Sequence, residues 1–221
     1  MSDRASPVSL IDGIVREMRT PILGIASAAQ LLRFRGREDP VIERSIGRIL
    51  HEVERLNHVL GALEAYAHLA PPSLAPSDPD VVWDEVIAGR QGDLESRALA
   101  LHRTRPTPLP HGHHRHQIDA EQLSKAFAQL LLNAVDAAPE ASDITLASET
   151  LPDGRWRCRL HNGGPPIPPD VLPRIWDPFV TTKPGSTGLG LPLARRIVEG
   201  HRGTVTLASA AEGTTVVVEL P

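Results

Sequence analysis

Apolar residues near the N-terminus recur at alternating spacings of four and three. The first series is Ile11, Val15, Met18, Ile22, Ile25, Ala29 and Leu32, and the second is Ile42, Ile46, Ile49, Val53, Leu56, Leu60 and Leu63. This spacing places one narrow apolar seam on each of two helices. Asp39 followed by Pro40 favours the start of the second helix. The short break between the helices predicts an antiparallel hairpin. Because one hairpin cannot fully bury both seams, we expect a homodimeric four-helix bundle.

Composition excludes several classes of protein. The 221 residues carry a net charge of −4 and only 3% are aromatic, so no nucleic-acid partner is expected. The single cysteine, Cys158, cannot form an intramolecular disulfide, which favours a reducing compartment. No apolar run is long enough to cross a membrane, and Asp3 and Asp12 are unlike a signal peptide. We expect a cytoplasmic protein without membrane contact.

A proline-rich stretch over residues 71–79 divides the chain. We predict a helical hairpin over 1–70, a stiff linker over 71–79 and a second domain over 80–221. Within the second domain, the patterns predict helices over 80–97, 119–138 and 188–200 and strands over 98–104, 143–150, 155–161, 203–209 and 214–220. Residues 105–113 are predicted as a loop. Helices grouped with an antiparallel or mixed sheet indicate an α+β sandwich.

Two polar features of the second domain are candidates for ligand binding. The helix over 119–138 carries Gln129, Asn133 and Asp136 on one face, and such a stripe either faces water or binds a ligand. A glycine-rich turn, GSTGLGL over residues 185–191, precedes another helical run. Free N–H groups at the start of that helix suit a phosphate, and Lys183 would add a positive charge.

Four motifs occur in the order expected of one family. They are Asn133 in its helix, Asn162-x-Gly164, the stretch PFVTTK over residues 178–183, and the glycine-rich turn. Together they resemble the N, G1, F and G2 boxes of the ATP-binding domain of sensor histidine kinases, the Bergerat (GHKL) fold shared with gyrase and Hsp90. The resemblance covers nearly all of residues 78–221 and implies ATP and Mg²⁺ as cofactors.

The resemblance implies roles for particular residues. Asn133 would coordinate Mg²⁺, Asn162 would meet the adenine amine, and Phe179 would lie under a lid over the nucleotide. The complete nucleotide site predicted in this way is Gln129, Asn133, Asp136, Asn162, Gly164, Phe179, Lys183, Thr187, Gly188, Leu189 and Gly190. Two departures affect it. The family usually has Asp at Asn162, so a negative charge is missing, and Pro166 replaces a glycine and stiffens the turn.

The N-terminal hairpin resembles the dimerisation and phosphotransfer domain of the same family. REMRTPI over residues 16–22 aligns with the phosphoacceptor box His-Glu-x-Arg-Thr/Asn-Pro-Leu, and residues 24–32 look most like the nitrogen-regulation branch. Pro21 would disfavour an ordinary helix interior by about 3 kcal/mol, and it fits the kink built into this family.

Arg16 stands where the phosphorylated histidine of the family should be. A guanidinium stays protonated and cannot attack a γ-phosphate, so we expect no autophosphorylation at this position. Glu17 and Thr20 remain, and in the family residues at these positions are linked to dephosphorylation of the response regulator. Arg16 would be able to bind phosphate oxygens. In the alternative interpretation, Glu17 and Thr20 are relics on an exposed helix.

These observations leave more than one function open. The first is an ATP-binding dimer that acts on the receiver domain of a response regulator, as a phosphatase or by phosphorylating a partner histidine kinase. The second is an inactive pseudokinase that docks such partners. A phosphotransfer hub fits least well, because it needs an acceptor histidine. Few residues precede the hairpin, so we expect the input signal to come from a partner, such as a sensory protein, or from protein concentration.

The histidines allow two further interpretations. His51, His58 and His68 lie on the second predicted helix, where one of them would be a displaced phosphoacceptor or, more simply, a solvated side chain. His111, His113, His114 and His116 have a spacing able to bind a metal weakly. No cysteine or acidic pattern accompanies them.

Overall fold

The computed structural model describes residues 7–35, 40–105, 116–183 and 186–221. The chain divides into two compact units. The first comprises Met1–Leu69 with the short segment Lys183–Thr187, and the second comprises Ala70–Thr182 with Gly188–Pro221. The helix start predicted at Asp39 lies outside the described residues, as does Gly185 of the glycine-rich turn.

The first unit contains two long helices, α1 (Pro7–Arg35) and α2 (Pro40–Ala67). They pack against each other as the predicted hairpin, with Val15, Ile22, Val53 and Leu60 at the centre of the contact. Near the open end of the hairpin the Arg19 guanidinium lies 2.5 Å from the Glu64 carboxylate.

The heptad seam of the hairpin is only half buried. Every seventh residue of one row is buried within the hairpin, namely Val15, Ile22 and Ala29 on α1 and Ile46, Val53 and Leu60 on α2. The other row stays exposed, namely Met18, Ile25 and Leu32 on α1 and Ile42, Ile49 and Leu56 on α2. The sequence pattern predicts one apolar seam, and the structure shows that the hairpin itself uses half of it.

The second unit is an α+β sandwich, as predicted. Its elements in chain order are β1 (Ala75–Ser77), α3 (Pro79–Gly89), α4 (Gln91–Ser96), β2 (Ala100–Thr104), β3 (His116–Ile118), α5 (Ala120–Ala137), β4 (Asp143–Thr150), β5 (Trp156–Asn162), α6 (Gly190–Gly200), β6 (Thr204–Ala210) and β7 (Gly213–Leu220). A five-stranded sheet has the order β2-β4-β5-β7-β6. The β2–β4 pair is parallel and the other pairs are antiparallel.

The core of the second unit lies between its helices and one face of this sheet. Alternate residues of β4 and β5 are buried, which is the pattern of a sheet covered on one side. Phe127 of α5 stacks on Trp83 of α3 with a ring separation of 4.3 Å, and its other neighbour is Trp156 of β5 at 5.9 Å. All three rings are almost completely buried, so they join both helices to the sheet.

A polar cluster lies beside these aromatic rings. The buried Asp80 of α3 accepts hydrogen bonds from the Ser148 hydroxyl at 2.6 Å and from the Trp156 indole N–H at 3.2 Å. The Arg103 guanidinium of β2 pairs with the same carboxylate. Because each partner comes from a different strand, one buried carboxylate fixes α3 over the sheet.

Two local predictions differ from the structure. The helix predicted over 80–97 is divided into α3 and α4, because Arg90 between them has a non-helical backbone with φ −118° and ψ 14°. Residues 75–77, within the predicted linker, form β1, which pairs antiparallel with β3. Both strands are only three residues long, which is too short for a hydrophobic alternation to be read from the sequence.

Candidate functional site

The predicted polar stripe lies on α5. Asp119 caps this helix, and its carboxylate accepts from the backbone N–H of Gln122 at 3.0 Å and of Ser73 at 2.9 Å. Burial opposes ionisation of this carboxyl, but these N–H groups and the nearby His201 outweigh it and lower its pKa. On the stripe itself, Gln129 and Asn133 are half-buried and Asp136 is exposed. The helix therefore presents two amides and a carboxylate on one side.

The start of α6 lies against this stripe. A Cβ atom on Gly190 would come 2.5 Å from Oε1 of Gln129 and 3.8 Å from Nδ2 of Asn133. The preceding residue, Leu189, supplies no side-chain cap to α6. Glycine at this position thus lets the N-terminal turn of α6, which carries the positive end of the helix dipole, approach the α5 amides.

The turn before α6 is closed by a second tight contact. Gly188 has φ +64°, and a Cβ there would come 2.6 Å from the carbonyl carbon of Phe179. The Phe179 N–H donates to the Gly188 carbonyl at 3.0 Å. Phe179 itself has φ +67° and is 62% exposed. Phe179 of the F-type motif and Gly188 of the glycine-rich motif, nine positions apart, therefore meet backbone to backbone.

The opposite end of the α5 face meets the turn that follows β5. A Cβ on Gly164 would come 2.2 Å from the carbonyl oxygen of Ala137 and 2.9 Å from Nδ2 of Asn162. Asn162 is 4% exposed. Among the described residues its Nδ2 atom is one of the buried side-chain atoms without a hydrogen-bond partner. This end of the site is thus formed by a tight glycine contact and an unpaired amide donor.

Arg97 stabilises this end of α5. Its guanidinium donates to the carbonyls of Val135 and Ala138, the second at 2.9 Å, and so satisfies helix-terminal acceptors. Neither this contact nor the Ala137 carbonyl was predicted from the sequence. A backbone carbonyl is carried by every residue, and Arg97 lies 38 positions from Val135, so no local pattern would have revealed them.

The remaining predicted residues are distributed differently. Lys183 and Thr187 belong to the first compact unit rather than to the unit that contains α5. Arg16, Glu17 and Thr20 all lie on α1, and the Thr20 side chain is exposed.

Other reactive side chains do not form a second centre in the described part of the chain. Burial raises the pKa of the Cys158 thiol to about 12, so this thiol stays protonated. Residues 7–35, 40–105, 116–183 and 186–221 contain no group of three or more His, Cys, Asp or Glu side chains arranged for a metal ion. His111, His113 and His114 lie outside the described residues, and His116 Nδ1 lies 2.7 Å from the Pro221 carbonyl oxygen. In the same described ranges, no helix has the length and apolar character needed to cross a membrane.

Comparison with known proteins agrees with this geometry. Residues 118–221 match the family of histidine kinase-, DNA gyrase B- and HSP90-like ATPases. The sensory histidine kinase/phosphatase NtrB of Rhizobium meliloti (strain 1021) is 29% identical over 232 residues, which cover 98% of this chain and 59% of NtrB. The sensor histidine kinase ZraS of Klebsiella oxytoca is 30% identical over 201 residues, covering 91% of this chain and 43% of ZraS.

The fold agreement extends over both units. The crystal structure of full-length ShkA in complex with AMPPNP covers 96% of this chain and 45% of ShkA, with a TM-score of 0.77 and 24% identity. This chain thus spans about half the length of each of these three proteins. The order of the motifs on α5, β5 and α6 agrees with these matches: residues 118–221 match the histidine kinase-, DNA gyrase B- and HSP90-like ATPases, and nearly the whole chain is similar to sensor histidine kinases.

Proposed function

We propose that the second unit binds ATP on the face of α5. The observation that carries this proposal is the convergence of Gly190 and Gly164 on one helix, against Gln129 and Ala137 respectively. These two α5 residues are eight positions apart, or about 12 Å along a helix, which suits a ligand with a charged end and a base. A Cβ on either glycine would clash with α5, so glycine at both positions lets the two turns pack directly against this helix.

The two ends of the face have different chemistry. The first turn of α6 offers backbone N–H groups and the positive end of a helix dipole, which bind phosphate. The buried amide of Asn162 lies at the other end, where it would meet the base. Asn133 would hold Mg²⁺ through its side-chain oxygen, and the bound ion would neutralise phosphate charge. Gln129, Asp136, Gly188 and Leu189 complete the proposed site, with Phe179 against the turn before α6.

We propose that the hairpin forms a homodimer with a second copy of the chain. One heptad row is buried within the hairpin, while the row containing Met18 and Ile25 on α1 and Ile49 and Leu56 on α2 stays exposed. Isolated apolar side chains on a surface are ordinary, but a row repeated every seven residues on both helices is the seam of a four-helix bundle.

We propose that the dimer acts on a response regulator rather than on itself. Arg16 cannot accept a phosphoryl group at the position of the family histidine, since its guanidinium has no free lone pair. Thr20 is exposed on α1, and its hydroxyl would position a water against the aspartyl phosphate of a receiver domain. Glu17 precedes it by one helical turn, and Arg16 would hold the phosphate oxygens.

The competing function is a pseudokinase that docks a regulator or a partner kinase without chemistry. Three departures favour it, namely Arg16 in the phosphoacceptor box and Asn162 and Pro166 in the turn after β5. In this case nucleotide would serve only as a structural ligand of the second unit.

Labelling with γ-³²P-ATP and Mg²⁺ tests the first step. We expect the purified chain to bind nucleotide and to acquire no acid-labile label. A labelled band would contradict the proposed consequence of Arg16, and its position at His51, His58 or His68 would identify a relocated acceptor.

A second assay separates the phosphatase from the pseudokinase. Receiver domains phosphorylated with acetyl phosphate are incubated with the wild-type chain, with Thr20→Ala, and with Ser27→Ala as the matched control. Ser27 is also exposed on α1. Accelerated loss of phosphate with the wild type and the control but not with Thr20→Ala supports the phosphatase. Binding of a receiver domain without any acceleration supports the pseudokinase.

A further inference from the structure

The amide of Asn162 has an unusual environment at the end of β5. Its backbone pairs with Ile144 of β4 and Thr214 of β7, so the residue is fixed on both sides within the sheet. The side chain is 4% exposed, and the described residues supply no hydrogen-bond partner for Nδ2. A buried donor without a partner is disfavoured, and this points to an acceptor brought by a ligand.

The position of this donor indicates which part of the ligand it would contact. Nδ2 lies beside Gly164, where a Cβ would come within 2.9 Å of it and within 2.2 Å of the Ala137 carbonyl oxygen. This is the end of the α5 face opposite the N-terminus of α6. If phosphates bind at α6, as proposed above, the group that reaches Asn162 is the edge of the base.

An amide and a carboxylate read that edge differently. A carboxylate only accepts hydrogen bonds, so it pairs with the 6-amino group of adenine and repels the 6-carbonyl of hypoxanthine or guanine. An amide both donates and accepts. Nδ2 of Asn162 can donate to a 6-carbonyl while Oδ1 accepts from N1–H. After a half-turn of the amide, Oδ1 accepts from a 6-amino group while Nδ2 donates to N1 of adenine.

We propose that Asn162 makes this site accept 6-oxopurine nucleotides as well as adenine nucleotides. The inference rests on the proposed nucleotide site and assigns its base selectivity to one side chain. A carboxylate at this position would require a 6-amino group, and the neutral amide removes that requirement. Gly164 supports the readout, because it leaves room for the amide beside the end of α5.

Calorimetric titration of the full chain with ADP and with IDP, each with Mg²⁺, tests the inference. Hypoxanthine differs from adenine at the six-position and at N1, and it lacks the 2-amino group of guanine. We expect the two dissociation constants to agree within about tenfold. Asn162→Asp should weaken IDP relative to ADP by roughly 30-fold or more, because a carbonyl then faces a carboxylate without a donor.

Asn57→Asp is the matched control, because Asn57 is exposed on α2 and the change adds the same charge away from the nucleotide site. Its ADP-to-IDP ratio should equal that of the wild type. Tight ADP binding with IDP more than 100-fold weaker in the wild type would overturn the base readout while leaving the proposed function intact. Failure of both nucleotides to bind a folded chain would overturn the nucleotide site and the readout together. The wild-type ratio decides the matter even where Asn162→Asp does not fold.

Discussion

The two units of this protein bury their apolar surface in different ways. The second unit buries Trp83, Phe127 and Trp156 between its helices and sheet. The buried side chains of the hairpin are aliphatic. Among the described residues, nine of the twelve exposed large apolar side chains lie on α1 and α2, namely Met18, Leu23, Ile25, Leu31, Leu32, Val41, Ile42, Ile49 and Leu56. The second unit therefore has a core of its own, whereas the hairpin leaves a regular row of apolar side chains exposed, as the proposed dimer requires.

The stabilities of the two units should therefore depend differently on protein concentration. A core of three aromatic rings is completed within one chain, so its stability does not depend on protein concentration. A hairpin with half of its heptad seam exposed gains stability when a second hairpin covers the other half, and that gain follows mass action. Substitutions in the two units should accordingly differ in whether their effects depend on concentration.

The largest effect is expected from Ile25→Asp on the exposed row of α1. Each copy in a dimer loses a buried isoleucine worth about 1.5–3 kcal/mol, so dimerisation should weaken by roughly 3–6 kcal/mol. Sedimentation equilibrium measures the change, and Ser27→Asp, exposed on the same helix, is the control. A dimer of unchanged affinity in Ile25→Asp would show that this row is not the interface.

Phe127→Ala should produce the next largest effect, and only in the second unit. The ring is fully buried between Trp83 and Trp156, and truncation of such a side chain costs about 3–5 kcal/mol. Urea unfolding followed by tryptophan fluorescence reports on this unit, because its three tryptophans all lie there. The loss in free energy of unfolding should not vary with protein concentration. A loss that did vary would contradict the conclusion that the core of this unit is completed within one chain.

The elements that the sequence predicted well are those with a strong local hydrophobic pattern. The heptads of α1 and α2 and the periodicity of α5 are local patterns, and the structure has a helix over each of them, with α5 ending one residue inside each predicted bound. The strands β4 and β5 alternate clearly and were also predicted closely. Hydrophobic periodicity is read from neighbours along the chain, so it identifies elements whose stabilising face is built into their own sequence.

Contacts between distant segments were predicted less completely. The short strands β1 and β3 depend on each other as partners far along the chain, and the division between α3 and α4 at Arg90 was not predicted. For the candidate site, motif order predicted that Gly190 and Asn133 belong together, and the structure places them on adjoining elements. The unpaired amide of Asn162 and the closeness of Gly164 to Ala137 became visible only in three dimensions, since both depend on side-chain and backbone packing.

A smaller effect is expected at the cap that positions the α5 face. Asp119→Ala removes the carboxylate that accepts from the Gln122 and Ser73 N–H groups, and loss of such a cap costs about 1 kcal/mol. Urea unfolding of the second unit measures it. Glu140→Ala, exposed beyond the C-terminal end of α5, should leave stability unchanged. A loss equal to that of Phe127→Ala would mean that Asp119 does more than cap the helix.

The smallest effect is expected from Asp119→Asn, which keeps a capping side chain but removes the charge. The pKa of Asp119 in the folded protein lies below its ordinary value of 3.8, so the charge stabilises the native state above that value. The contribution should be lost as the pH falls through the folded pKa. We therefore expect Asp119→Asn to be less stable than wild type by about 0.3–1 kcal/mol at pH 7. The two stabilities should converge as the pH falls below 3.8 and through the lower pKa of the folded carboxyl, where the wild-type side chain becomes protonated. Paired urea titrations across this range measure the difference, and a gap that stays constant with pH would show that geometry rather than charge sets the strength of the cap.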